Sequence, residues 1–142
     1  MYSRVMVELE TKIRAQEKTL GDDHPDVADS LAQLAHLYFI FGRYGECERL
    51  FWRAISICSA HYGQEHESVA VLMVDLGYLM ETEERWAEAE HVYRLAYAIR
   101  MVNGGAEQQE TLRVARLIVK VVRAQGKMPA ERELERMAKI AV

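Results

Sequence analysis

Arg113, Arg116, Lys120 and Arg123 fall at i, i+3, i+7 and i+10, a spacing that sets four cations along one face of a helix. Guanidinium forks pair carboxylates bidentately, so the chemistry on offer is recognition of an acidic segment rather than the making of bonds. The same pattern also suits a solvated helix face. Five histidines and 22 Asp+Glu invite a metal or catalytic reading. The spacings for it are missing. His61 and His91 have no second histidine at i+4, and no His-Glu-x-x-His, paired Cys-x-x-Cys, glycine-rich phosphate loop or nucleophile elbow occurs. Cys47 and Cys58 both sit inside helical patterns and read as reduced packing residues. No enzymatic activity, catalytic residue, metal or cofactor is expected.

Such a stripe must be positioned by helices, and the sequence spells them by repetition. Gly21, Gly63 and Gly105 stand 42 residues apart; His24 pairs with His66, Leu34 with Leu76 and Ile118, Leu37 with Leu79 and Val121, Arg43 with Arg85 and Lys127. A fixed period of this size marks a stacked repeat array. Residues 4–19 place Val5, Leu9, Ile13 and Gln16 on one stripe, ended by Leu20-Gly21. Pro25 suits a first helical position, and His24 and His66 occupy equivalent turns where a structural role outweighs a ligand role. Val27, Leu31, Leu34, Ala35 and Tyr38 then mark a buried face, and after Gly42-Arg43-Tyr44-Gly45 a second helix buries Cys47, Leu50, Phe51, Ala54, Ile55 and Cys58. The next unit repeats this with Val69, Leu72, Met73, Leu76, Gly77 and Met80, then Trp86, Ala89, Val92, Tyr93, Ala96 and Ile99. The third holds Leu112, Ala115, Ile118, Val119 and Val122, a Gly126-Lys127-Met128-Pro129 turn, and a last helix with Leu134, Met137, Ala138 and Ala141.

Connections of roughly 2–5 residues make successive helices antiparallel neighbours. The expected fold is all-α: seven helices in a right-handed α-solenoid of antiparallel hairpins, about 3.5 repeat units. One domain is expected over residues 1–142, with a lone first helix at 1–20, repeats at 21–62 and 63–104, and a degenerate repeat at 105–142. Small residues at Ala35 and Gly77 are expected to let paired helices approach.

Net charge is −4, unevenly spread: residues 1–106 carry 10 Lys+Arg against 17 Asp+Glu, and residues 107–142 carry 8 against 5. Such polarity can steer an acidic partner to one end. No apolar run approaches the roughly 18–20 residues that span a bilayer, and the amino-terminal stretch lacks the long apolar segment of a signal peptide. A soluble cytoplasmic protein without membrane contact is the expectation.

The phrase Leu34-Ala35-x-x-Tyr38, Gly42-Arg43-Tyr44-x-Glu46-Cys47-Glu48-x-Leu50-Phe51-x-x-Ala54, with its copy Leu76-Gly77 through Trp86-Ala87-Glu88-Ala89-Glu90-x-Val92-Tyr93-x-x-Ala96, resembles tetratricopeptide repeats. Leu20-Gly21-Asp22-Asp23-His24-Pro25-Asp26-Val27-Ala28 is similar to the 42-residue variety found in kinesin light chains. The likeness is strong over residues 17–101. It implies a protein-interaction scaffold whose first helices line a concave groove. Transferred to this sequence, the groove would comprise Gln33, His36 and Phe39, then Val74, Asp75 and Tyr78, then Arg113, Arg116, Lys120 and Arg123. The partner implied is a peptide or protein segment, acidic at the cationic end, with His36, Phe39, Val74 and Tyr78 giving apolar contacts and Gln33 and Asp75 bonding backbone. The lysine and asparagine clamp for chaperone C-termini is absent, and Ala32-Gln33, Val74-Asp75 and Arg116-Leu117 stand where kinesin light chains carry paired asparagines. Cargo and chaperone specificity therefore do not carry over. The acidic total, with Glu81, Glu83 and Glu84 near the same groove, argues against nucleic acid. The alternative is a self-assembly module. A lone first helix and the ending Met137-Ala138-Lys139-Ile140-Ala141-Val142 leave both ends without a polar cap, which would suit a homo-oligomer or a piece of a longer array.

Overall fold

The computed structural model describes residues 3–105 and 107–127, and every regular element among them is an α-helix. In order these are α1 (Arg4–Leu20), α2 (Pro25–Ile40), α3 (Tyr44–Tyr62), α4 (Glu67–Thr82), α5 (Trp86–Asn103) and α6 (Gln109–Ala124). The helix expected around Leu134, Met137, Ala138 and Ala141 lies outside the described residues, as does Met128-Pro129 of the turn before it. Two compact units divide the chain, one up to Gln64 holding α1 to α3 and one from Glu65 holding α4 to α6.

Helix ends recur at the 42-residue spacing because the same local chemistry recurs. Gly21, Gly63 and Gly105 have φ of 92°, 98° and 81°, a conformation that side chains resist and that closes the preceding helix. His24 and His66 are N-caps. The Nδ1 atom of His24 accepts from the backbone N–H of Asp26, and that of His66 from the N–H of Ser68, both at 3.1 Å. Each imidazole thus satisfies one of the donors a helix start leaves open, which accounts for the paired histidines. At the hairpin turns Gly42 and Gly126 take φ of 74° and 72°; between them, in the same place, Glu84 takes φ of 58°.

In the first unit α2 and α3 bury the residues their periodicity predicts, among them Leu31, Leu34, Ala35, Phe51 and Ala54, and both cysteines are buried. The stripe on α1 differs from expectation. Val5 is 53% exposed whereas Met6 is 1% exposed, so the inward face runs through Met6 and Ile13, two turns apart. Polar contacts select that register: Ser30 Oγ donates to Gln16 Oε1 at 2.8 Å, and the Tyr38 hydroxyl donates to Glu10 Oε1 at 3.2 Å.

In the second unit α4 and α5 pack at Gly77. A Cβ there would lie 2.1 Å from Cε1 of the fully buried Tyr93, so only glycine leaves room for the ring. Trp86 is half-buried rather than core. The face of α6 is also turned from expectation. Leu112 and Val119 are half-buried, while Thr111, Val114, Ala115, Ile118, Val121 and Val122 are buried. A threonine at the head of that row disguises it as a polar face.

Candidate functional site

Seven of the residues proposed from sequence lie in the second unit, Val74, Asp75 and Tyr78 on α4 and Arg113, Arg116, Lys120 and Arg123 on α6. Val74, Asp75 and Arg113 come together, with Val71, Arg100, Glu110 and Val114, around a cavity of about 70 Å³. Arg113 donates from Nη2 to the Tyr78 hydroxyl at 3.1 Å, and its Nη1 lies 3.8 Å from Glu110. The hydroxyl contact, then the charges of Glu110 and Asp75, hold the Arg113 guanidinium above its ordinary range.

Behind Tyr78 the contacts continue inward. Its ring meets the Tyr93 ring edge to face, centroids 6.2 Å apart and planes at 77°. Tyr93 donates its hydroxyl to Glu81, a carboxylate only 9% exposed. Burial, reinforced by that bond and the carboxylate charge, pushes the Tyr93 hydroxyl far above the ordinary tyrosine range. Lys120 Nζ stands 2.9 Å from Glu81 Oε1. The Glu81 carboxylate holds the Lys120 ammonium above its ordinary range.

The four cations of α6 are therefore not equivalent. Arg113 and Lys120 are engaged within the unit by Tyr78, Glu110 and Glu81. Arg116 and Arg123 are exposed and have no ion pair among the described residues.

The first unit holds the other three proposed residues on α2: Gln33 and His36 are exposed and Phe39 is half-buried. The His36 ring meets the buried Phe51 at 5.3 Å and 76°, and Phe39 tilts against Tyr44 at 5.5 Å and 46°. His36 and Phe51 stand 42 residues before Tyr78 and Tyr93, so an outer ring leaning edge to face on a buried ring is a repeated device. Trp52, next to Phe51, is 41% exposed.

Arg100 is the residue that reading the sequence missed. It is 8% exposed, its Nη1 lies 3.4 Å from Glu67, and its Nε has no hydrogen-bond partner among the described residues. The signal was present: Arg100 continues the buried row Val92, Ala96 at i+4 and i+8, a cation in an apolar register.

The 42-residue hairpins match known proteins over the same region. Residues 30–101, half of the 142-residue chain, match the tetratricopeptide repeat pattern. The chain belongs to the tetratricopeptide repeat family. Nephrocystin-3 of Mus musculus and of Homo sapiens are each 37% identical to it over 54 residues, 38% of this chain and 4% of their own length. Among solved structures, BtubC (BKLC) from P. vanneervenii superimposes with a TM-score of 0.84 at 19% identity, covering 95% of this chain and 54% of that one. A kinesin-light-chain-like protein of nearly identical TPR-like repeats from Podosopora anserina gives 0.80 at 21%, covering 95% and 63%. At such identities the structures speak for the fold: antiparallel helix hairpins of the tetratricopeptide kind, as the period and motifs predict. Tetratricopeptide domains serve as protein-interaction scaffolds, and the repeat chain described here is one of that class.

Proposed function

We propose that this tetratricopeptide domain binds an acidic peptide segment across α4 and α6 of its second unit. Arg116 and Arg123 pair with the segment's carboxylates; Arg113, steadied by Tyr78, supplies a third fork at the small cavity beside Val74 and Asp75. Apolar side chains of the segment rest on Val74 and the Tyr78 ring, and Asp75 accepts from its backbone. Lys120 contributes less than its exposure suggests, because Glu81 already holds it. In the first unit Gln33, His36 and Phe39 offer the same kinds of contact, one polar and two aromatic, on their own helix. The observation that carries the reading is the contrast within one stripe: two arginines uncommitted among the described residues, beside two cations tied to α4 and Glu110. Uncommitted exposed guanidinium groups on a scaffold of this family lose little on pairing with a ligand.

The test uses a fluorescein-labelled peptide of alternating Glu and Leu, titrated by anisotropy at low salt. Arg116→Glu with Arg123→Glu is expected to weaken binding more than tenfold while leaving the far-UV circular dichroism unchanged. Unchanged affinity in that variant overturns the proposal.

A further inference from the structure

Within the first unit an open cleft of about 450 Å³ runs between α1 and α3 over α2. Its floor is the outer edge of the unit's apolar core, made by Ile13, Leu31, Leu34, Leu50 and the Tyr38 ring, each no more than 5% exposed. Its rim is cationic: Arg14 from α1 faces the same cleft as Arg49 and Arg53 from α3, against a single lining carboxylate, Glu10. Glu10 is already bonded by the Tyr38 hydroxyl at 3.2 Å, and Arg53 lies 3.4 Å from Glu17. Arg14 and Arg49 have no ion pair among the described residues. Three guanidinium groups around one apolar trough repel one another and leave a positive field over it.

The repeat itself does not require those cations. Forty-two residues after Ile13, Leu31, Leu34, Tyr38 and Leu50 stand Ile55, Met73, Leu76, Met80 and Val92, all apolar. Forty-two after Arg14, Arg49 and Arg53 stand Ser56, His91 and Leu95. The floor is the shared packing pattern, whereas the rim belongs to this one position. A cation set imposed on a repeated apolar frame, with two of its three arginines lacking an ion pair among the described residues, is a recognition feature.

We infer that this cleft is a second binding site, and that it takes an acidic peptide segment carrying one bulky apolar side chain. The apolar side chain lies between the rim arginines, against the edges of Leu34 and Leu50 that reach the cleft, and flanking carboxylates meet Arg14, Arg49 and Arg53. The volume is of the size that holds ligand groups. Arg14 and Arg49 are exposed at the rim and Arg53 half-buried, which leaves the cleft open along the helices and suits a segment of chain rather than an enclosed small molecule. The site is independent of the α4 and α6 surface, since no residue is shared.

The experiment titrates the protein with a labelled peptide Gly-Glu-Glu-Trp-Glu-Glu-Gly, and with two controls in which every Glu is Gln or the Trp is Gly. Binding is read by anisotropy and by backbone amide NMR shifts. The Trp peptide is expected to shift the amides of Ile13, Leu34 and Leu50, to lose at least tenfold in affinity to Arg14→Glu with Arg49→Glu, and to keep its shifts there in Arg116→Glu with Arg123→Glu. Both control peptides are expected to bind at least fivefold more weakly. The milder Arg14→Gln with Arg49→Gln, expected to show an intermediate loss, guards against a charge-reversed variant that fails to fold. Shifts confined to α4 and α6, equal binding of the Gln control, or no binding up to millimolar protein at low salt would each overturn the inference. The first of those results would leave the α4 and α6 proposal standing.

Discussion

Gly77→Ala is expected to destabilise the second unit, even though alanine is favoured over glycine by about 1 kcal/mol inside a helix. The new Cβ would stand 2.1 Å from Cε1 of Tyr93, 2.6 Å from Cζ and 2.7 Å from Cδ1. Carbon atoms rest at about 3.5–4.0 Å, so the ring would have to retreat by roughly 1.5 Å. It has little freedom to do so: Tyr93 is fully buried, its hydroxyl is held by Glu81, and its ring abuts Tyr78. Overpacking a filled core costs about 1–3 kcal/mol, and a clash this deep belongs at the upper end, which leaves a net loss of about 2 kcal/mol after the gain in propensity. For a chain of this length that loss lowers Tm by about 4–8 °C. Thermal unfolding followed by circular dichroism measures it. The cycle is completed in a Tyr93→Leu background, where no ring opposes the Cβ and Gly77→Ala should be neutral or stabilising. If Gly77→Ala raises Tm in the natural background, or costs the same with and without the ring, the packing argument is wrong.

Two further outcomes are expected. Glu84→Gly should stabilise the chain by about 0.5–1 kcal/mol in denaturant unfolding, because Glu84 holds φ of 58° where both equivalent positions are glycine; a loss of stability would mean that its side chain has a role beyond the turn. The Tyr93 hydroxyl is held protonated far above its ordinary value of 10.0, so below that pH folded and unfolded chains both keep the proton, and above it only the unfolded chain gives it up. Stability should therefore fall as pH rises past about 10, with Lys120, also raised, adding a loss of the same sign. Tyr93→Phe should flatten that alkaline slope without abolishing it, and an unchanged slope would refute the assignment.

What was legible in the sequence was what the repeat copies. Gly77 announced close helix approach, His24 and His66 announced equivalent turns, and the buried rows of α2 to α5, Trp86 apart, followed from spacing alone. The misreadings came where a polar residue occupies an inward position. Thr111 hid the true face of α6, and the Ser30 to Gln16 bond together with Tyr38 to Glu10 fixed a register on α1 that hydropathy would have started at Val5. The proposed site was legible as a list and not as a network. Spacing put Arg113 and Lys120 on one stripe with Arg116 and Arg123, but only the fold brings Tyr78 and Glu81 against the first pair. Arg14, Arg49 and Arg53 come from two helices more than 30 positions apart at their widest, a juxtaposition that no periodicity reveals.

The leaning rings have a spectroscopic consequence. In an edge-to-face pair the protons on the edge of one ring sit over the face of the other, where the circulating π-electrons displace their resonances. His36 against Phe51 and Tyr78 against Tyr93 place one such pair in each unit, with the buried member held still by its surroundings. Each unit therefore carries a native reporter at its surface. A visitor that tilts the outer ring by a few degrees moves an aromatic line in the spectrum, so occupancy of either helix face can be followed without attaching a label.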